Sequence, residues 1–125
     1  TAAFCVRSSV ASQKALLHDR LCCLTEQLGG TVDIEGDYPA WEYRRSSALR
    51  ERMTEIFREQ YGREPKVEAI HAGVECGILS GKLPGLDCVS IGPDLTEIHT
   101  PREKMSISSV QRVWAFVLEV LRRSE

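Results

Sequence analysis

The residues whose types could carry chemistry gather in one stretch, Ile70 to Glu103, IHAGVECGILSGKLPGLDCVSIGPDLTEIHTPRE. It holds His71, His99, Glu75 and Cys76, together with most of the glycines and prolines of the chain. Such backbone serves where a chain bends sharply or lies close against a ligand. His99 stands in the loop TEIHTPRE, between Glu97 and Glu103, with Pro101 stiffening the segment. A loop imidazole can ligate zinc through one nitrogen while a carboxylate or carbonyl holds the other. Taken bare, the plain surface-loop reading of His99 is the stronger one, because zinc takes three or four protein ligands and no spacing in the chain supplies them.

The other candidates divide in the same way. His71 ends a short strand-like segment and reads first as a satisfied histidine. Gly73 is either a turn glycine or a place where backbone N–H groups meet an anion. Arg7, in FCVRSS, has a guanidinium fork suited to a carboxylate, against the plain alternative of an edge-strand arginine facing solvent. Glu75 is a base, a carboxylate lying behind a site, or an ordinary first-turn glutamate. Cys76 beside His71 suggests a thiol–imidazole pair, but no third member orients it and the neighbourhood is apolar, so an inert cysteine fits better. His18 has no cluster around it.

These residues must be positioned by the elements between them. Ala2 to Val10 reads as a strand, followed by a helix from a Ser12 cap to about Leu28, with Leu17, Leu21, Leu24 and Leu28 at helical spacing. Gly29 and Gly30 stop that helix. Thr31 to Glu35 alternates as a second strand, giving part of an open-faced β-α-β sandwich. Gly36 to Tyr43 is extended, and Pro39 keeps it out of a central ladder. A second helix spans about Ser47 to Tyr61, with Leu49, Met53, Ile56 and Phe57 on one stripe and Gly62 closing it. Lys66 to Ile70 and Asp87 to Ile91 are short strands, Cys76 to Leu79 a bend or short helix, and Asp94 to Met105 a loop. Ser106 or Ser108 opens the last helix, whose apolar face is expected at Val110, Val113, Trp114, Val117, Leu118 and Leu121. The one domain boundary falls near residues 43–46.

Composition narrows the function classes. The 125 residues suffice for a hydrophobic core, and 16 basic against 18 acidic residues give a net charge of -2. That balance argues against nucleic acid or an anionic membrane as partner. No run reaches membrane-spanning length, and the opening TAAFCVRSSV lacks a signal-peptide pattern. Five cysteines without CxxC read as reduced thiols of a cytoplasmic protein. The chain starts without Met and is expected to be a fragment or processed product.

The segments HAGVECG and VSIGPDLTEIHTPRE resemble those of bacterial aminoacyl-histidine dipeptidases (Xaa-His dipeptidases, the peptidase D group). These are two-metal peptidases akin to aminoacylase and glutamate carboxypeptidase. The upstream VRSS and the closing helix SISSVQRVWAFVLEVL fit as well. The resemblance implies an α/β (α+β) fragment of a longer enzyme. Residues 1–43 would end an inserted open-faced β-α-β lid, and residues 46–125 would be the C-terminal segment of the zinc-peptidase catalytic domain. It further implies that His99 is a metal ligand and that Gly73 touches substrate through its backbone. Arg7 would grip the substrate's terminal carboxylate. The resemblance assigns no role to His71 or Glu75, which are candidates to stand behind the ligands. The implied cofactor is two zinc ions, with cobalt or manganese as substitutes. The implied partners are a dipeptide, the missing N-terminal part of the same chain, and a second copy in a homodimer. General base and remaining ligands lie outside these residues, so the fragment alone is expected to be inactive. A non-catalytic binding or interaction module is the alternative.

Overall fold

The computed structural model describes residues 1–71 and 75–124. Its elements are α1 (Ala11–Gln27), α2 (Ala48–Tyr61), α3 (Glu75–Lys82), β1 (Leu95–Thr96), β2 (Lys104–Met105) and α4 (Ile107–Arg122). This mixture of helix with a small sheet is that of an α/β fragment. Contacts group the chain into two units, Thr1–Ser46 with Val67–Asp87, and Ser47–Lys66 with Cys88–Glu125. The cut at Ser46 lies beside the boundary expected at 43–46, while Val67–Asp87 is grouped with the N-terminal residues.

The second unit has a compact core with an evident cause. Ser47 caps α2, its side chain accepting from the Arg50 N–H at 3.0 Å. Gly62 ends the helix at φ 64, a conformation open to glycine without a Cβ clash. The stripe so framed places Met53 and Ile56 against Phe116 and Val120 of α4, with Leu49, Phe57, Tyr61 and Val89 packed around them. Ile56 is 1% exposed. Phe57 meets Phe116 edge-on at 5.8 Å. The Tyr61 hydroxyl donates to the Arg112 carbonyl at 2.9 Å, and Arg123 bridges Glu59 and Glu119 at 2.7 and 2.8 Å.

The expected face of α4 is corrected by this packing. Phe116 and Val120 are the buried pair, whereas Val110, Trp114 and Leu121 are exposed. The helix is apolar on more than one side, and α2 covers the side carrying Phe116. Periodicity alone could not choose between them. Ser106, one of the two caps expected, is the N-cap.

In the first unit, α1 begins at Ala11 rather than after Ser12, with Val10 in the cap position and no side-chain cap. A distant residue replaces the local hydroxyl: Glu42 Oε1 accepts from the Ala11 N–H at 2.8 Å. The leucine stripe is largely outward, with Leu17, Leu24 and Leu28 exposed. The half-buried side instead carries Lys14, His18, Leu21, Cys22 and Thr25. Lys14 is bound to Asp37 and donates to the Tyr38 carbonyl at 2.5 Å. The Lys14 partnership lowers the Asp37 pKa below the ordinary carboxylate value, hydrogen bonding first and charge second. Helix α3 lies tightly along Pro39–Trp41: a Cβ on Gly77 would come 3.1 Å from the Pro39 carbonyl oxygen.

The strands expected at Ala2–Val10, Thr31–Glu35, Lys66–Ile70 and Asp87–Ile91 are corrected too. Among the described residues none joins a ladder, and the sheet is the antiparallel pair β1–β2, inside the segment expected to be loop. A strand exists only through its partner, so alternation in sequence marks a segment fit for pairing without supplying the pair. Two-residue strands carry no period to read at all.

Candidate functional site

His99 occupies the tip of the β1–β2 hairpin, and the support beneath it can be followed to the core. Phe116 and Val120 fix α4 on α2. At the start of α4, the Ser109 hydroxyl is buried, accepts from the Asp94 N–H at 2.9 Å and donates to the Ser106 carbonyl at 2.7 Å. The Ser106 N–H donates to the Asp94 carbonyl at 3.0 Å, and Arg112 holds the Asp94 carboxylate at 3.2 Å. Asp94 is thus tied to the helix just before β1. The register then pairs Leu95 with Met105 and Thr96 with Lys104.

Seven residues, Glu97 to Glu103, close the hairpin. Glu97 and His99 have φ of 53 and 64. Side-chained residues adopt this left-handed region at a cost on the order of 1–2 kcal/mol each, and glycine would fill it without strain. The loop holds itself in shape. Glu97 O accepts from the Thr100 hydroxyl at 2.7 Å and the Thr100 N–H at 3.2 Å. Arg102 pairs with the Glu97 carboxylate at 2.7 Å. The Glu103 carboxylate accepts from the His99 N–H at 2.8 Å. His99 is exposed, and its imidazole has no hydrogen-bond partner among the described residues.

Chemically, this is a single presented imidazole. Among the described residues no group of three or more His, Cys, Asp or Glu side chains could hold a metal ion. An imidazole nitrogen suits zinc, which takes three or four protein ligands, so this one donor would not hold the metal by itself.

Arg7 belongs to the other unit, where it lines a small surface pocket with Lys14, Tyr38 and Pro39. Its Nε donates to the Cys5 sulfur at 3.1 Å, and its two terminal nitrogens have no hydrogen-bond partner among the described residues. The Cys5 sulfur, ahead of the Tyr38 phenol, raises the Arg7 pKa above its ordinary value. The guanidinium therefore stays charged, with its fork open to a carboxylate.

His71 lies near Arg7 in the fold, its Nδ1 accepting from the Ser9 N–H at 2.9 Å. A ring nitrogen that accepts carries no proton, so the neutral ring keeps its proton on Nε2. In that state Nε2 is a donor and serves neither as metal ligand nor as base for Cys76. Glu75 is exposed in the first turn of α3. Gly73 lies outside the described residues. The structure adds a contact that sequence reasoning passed over: His18 Nε2 lies 3.6 Å from the Cys22 sulfur and His18 Nδ1 3.6 Å from Asp19. Its signal was the four-residue spacing of His18 and Cys22 on a helix.

No family model matches the chain. The cytosol non-specific dipeptidase of Escherichia coli (strain K12) is 32% identical over 117 residues, which are 94% of this chain and 24% of that protein. The crystal structure of aminoacylhistidine dipeptidase from Vibrio alginolyticus superposes with a TM-score of 0.74 at 30% identity, covering 92% of this chain and 24% of that one. The chain therefore spans about a quarter of the length of the relatives it matches, and over nearly all of its own length it is similar to them in sequence and fold.

Proposed function

We propose that the chain is the C-terminal part of a cytoplasmic, metal-dependent dipeptidase that hydrolyses Xaa-His and related dipeptides. The observation that carries this reading is the agreement of sequence and fold with dipeptidases along nearly the whole chain. On this reading residues 1–43 end a substrate-covering lid, and residues 46–125 close the catalytic domain. The enzyme's two zinc ions, for which cobalt or manganese can substitute, would polarise the scissile carbonyl and supply the attacking water when bound.

The residues of this chain have separate tasks. His99 would be a ligand to one zinc, held out at the hairpin tip. A loop with only structural duties is made more cheaply with glycine or asparagine at φ 64, so a histidine there is supported by what its imidazole does. Arg7 would take the dipeptide's terminal carboxylate in its open fork, and Lys14 lines the same pocket. Gly73 would offer its backbone to the substrate. With Nδ1 committed to Ser9, His71 can donate a hydrogen bond from Nε2, which suits holding a ligand carboxylate or a substrate oxygen. General base and remaining ligands belong to the rest of the polypeptide, and a homodimer is a further partner.

A hydrolysis assay with an Xaa-His dipeptide tests the reading. The full-length polypeptide should cleave it, lose activity in a chelator and regain it with zinc. The 125 residues alone should leave it intact. Chelator-resistant hydrolysis, or none with zinc restored, contradicts the proposal.

A further inference from the structure

We infer that Glu103 is a positioning residue whose carboxylate, by accepting the His99 N–H, fixes the backbone that presents the His99 imidazole. The inference rests on the reading of His99 as a metal ligand. Its grounds lie in the geometry of the loop. His99 stands in the left-handed region at φ 64, where a residue with a Cβ is strained. The Glu103 carboxylate meets its N–H at 2.8 Å, four residues away across the loop. Other contacts set the rest of the turn but leave that N–H alone. Thr100 closes on the Glu97 carbonyl, Arg102 neutralises the Glu97 carboxylate, and the Glu103 N–H donates to the Thr100 carbonyl at 3.1 Å.

Two features make Glu103 the effective member. It directly precedes β2, so its C-terminal side is anchored by the ladder, while its N–H is held by the Thr100 carbonyl. Its bond to the N–H is charge-assisted, and it lies on the strained residue itself. Without it, His99 can relax to an ordinary negative φ, which turns the Cα–Cβ bond and carries the imidazole elsewhere. A ligand misplaced by about 1 Å no longer fits a metal site shared with residues of another segment.

The test separates hydrogen bonding from charge and from folding. In the full-length polypeptide, exchange of the His99 amide hydrogen, followed by residue-resolved mass spectrometry, should speed up roughly tenfold in Glu103→Ala and in Glu103→Asp, whose carboxylate falls short. It should stay near wild type in Glu103→Gln, whose side-chain oxygen still accepts. In the full-length polypeptide, equilibrium dialysis should show zinc binding weakened about 10- to 100-fold in Glu103→Ala and Glu103→Asp and largely restored in Glu103→Gln. Wild-type zinc affinity in Glu103→Ala, with His99→Ala defective, overturns the inference and leaves the ligand reading standing. Unchanged zinc in His99→Ala overturns the ligand reading instead. If Asp preserves zinc affinity and Gln does not, the carboxylate acts by charge and the positioning role is overturned. Should Glu103→Ala lower the melting temperature, the Gln and Asp pair, which keep a polar side chain, decides.

Discussion

Arg7 and His99 pose different problems for a reader of sequence. Arg7 was visible as a lone guanidinium in a small-residue segment, and the structure leaves its terminal fork open beside Lys14. Replacing Arg7 with Ala in the full-length polypeptide should raise KM for dipeptides about 10- to 100-fold with kcat changed much less, the pattern of a lost ground-state grip. An unchanged KM in steady-state kinetics removes Arg7 from the substrate. His99 could be picked out through the family resemblance, but its left-handed backbone and its Glu103 partner could not. A bond across four residues of an irregular loop has no period and no propensity behind it. The Ser9–His71 bond joins residues 62 positions apart, and only the fold could bring them together.

At the scale of elements, the helices with clear punctuation were the readable ones. Ser47, the Leu49–Met53–Ile56–Phe57 stripe and Gly62 set the limits and inner face of α2. The energetic consequence is direct. Ile56→Ala removes a side chain that is 1% exposed at the centre of the α2–α4 core and should cost about 2–5 kcal/mol in denaturant unfolding. A loss below about 1 kcal/mol would mean that this core does not govern stability. Gly62→Ala puts a Cβ at φ 64 and should cost about 1 kcal/mol by the same measurement. The end of α4 carries a pH dependence. Hydrogen bonding from Arg123 holds the Glu119 pKa below its ordinary value, so the folded state binds that proton less readily than the unfolded one. Its contribution is present above the unfolded carboxylate pKa and fades as pH falls through the folded value. Where punctuation was absent, reading failed: α4 offered two apolar faces, and four strand-like segments had alternation but no ladder partner among the described residues.

For the whole molecule, the unburied apolar surface is informative. Leu17, Leu24 and Leu28 on α1, and Ile107, Trp114 and Leu121 on α4, are exposed, Trp114 by 63%. Exposed apolar faces of this kind mark contact surfaces, and the chain matches a quarter of its relatives' length. The isolated 125 residues should self-associate at micromolar concentration by light scattering, and Trp114→Gln combined with Leu24→Gln should reduce it. A monodisperse monomer that the double substitution leaves unaltered would show that these faces need no cover. On the proposed reading the residues here would present one ligand and one carboxylate grip, and the remaining donors of a two-metal site would come from the rest of the polypeptide.

The most direct test is therefore the zinc content of the full-length polypeptide with and without His99. Wild type should hold about two zinc ions per chain, as a two-metal peptidase does. His99→Ala should hold fewer and lose nearly all Xaa-His hydrolysis while keeping its melting temperature in the absence of metal. A His99→Ala protein with the full zinc complement and wild-type hydrolysis would contradict the placement of His99 in the metal site.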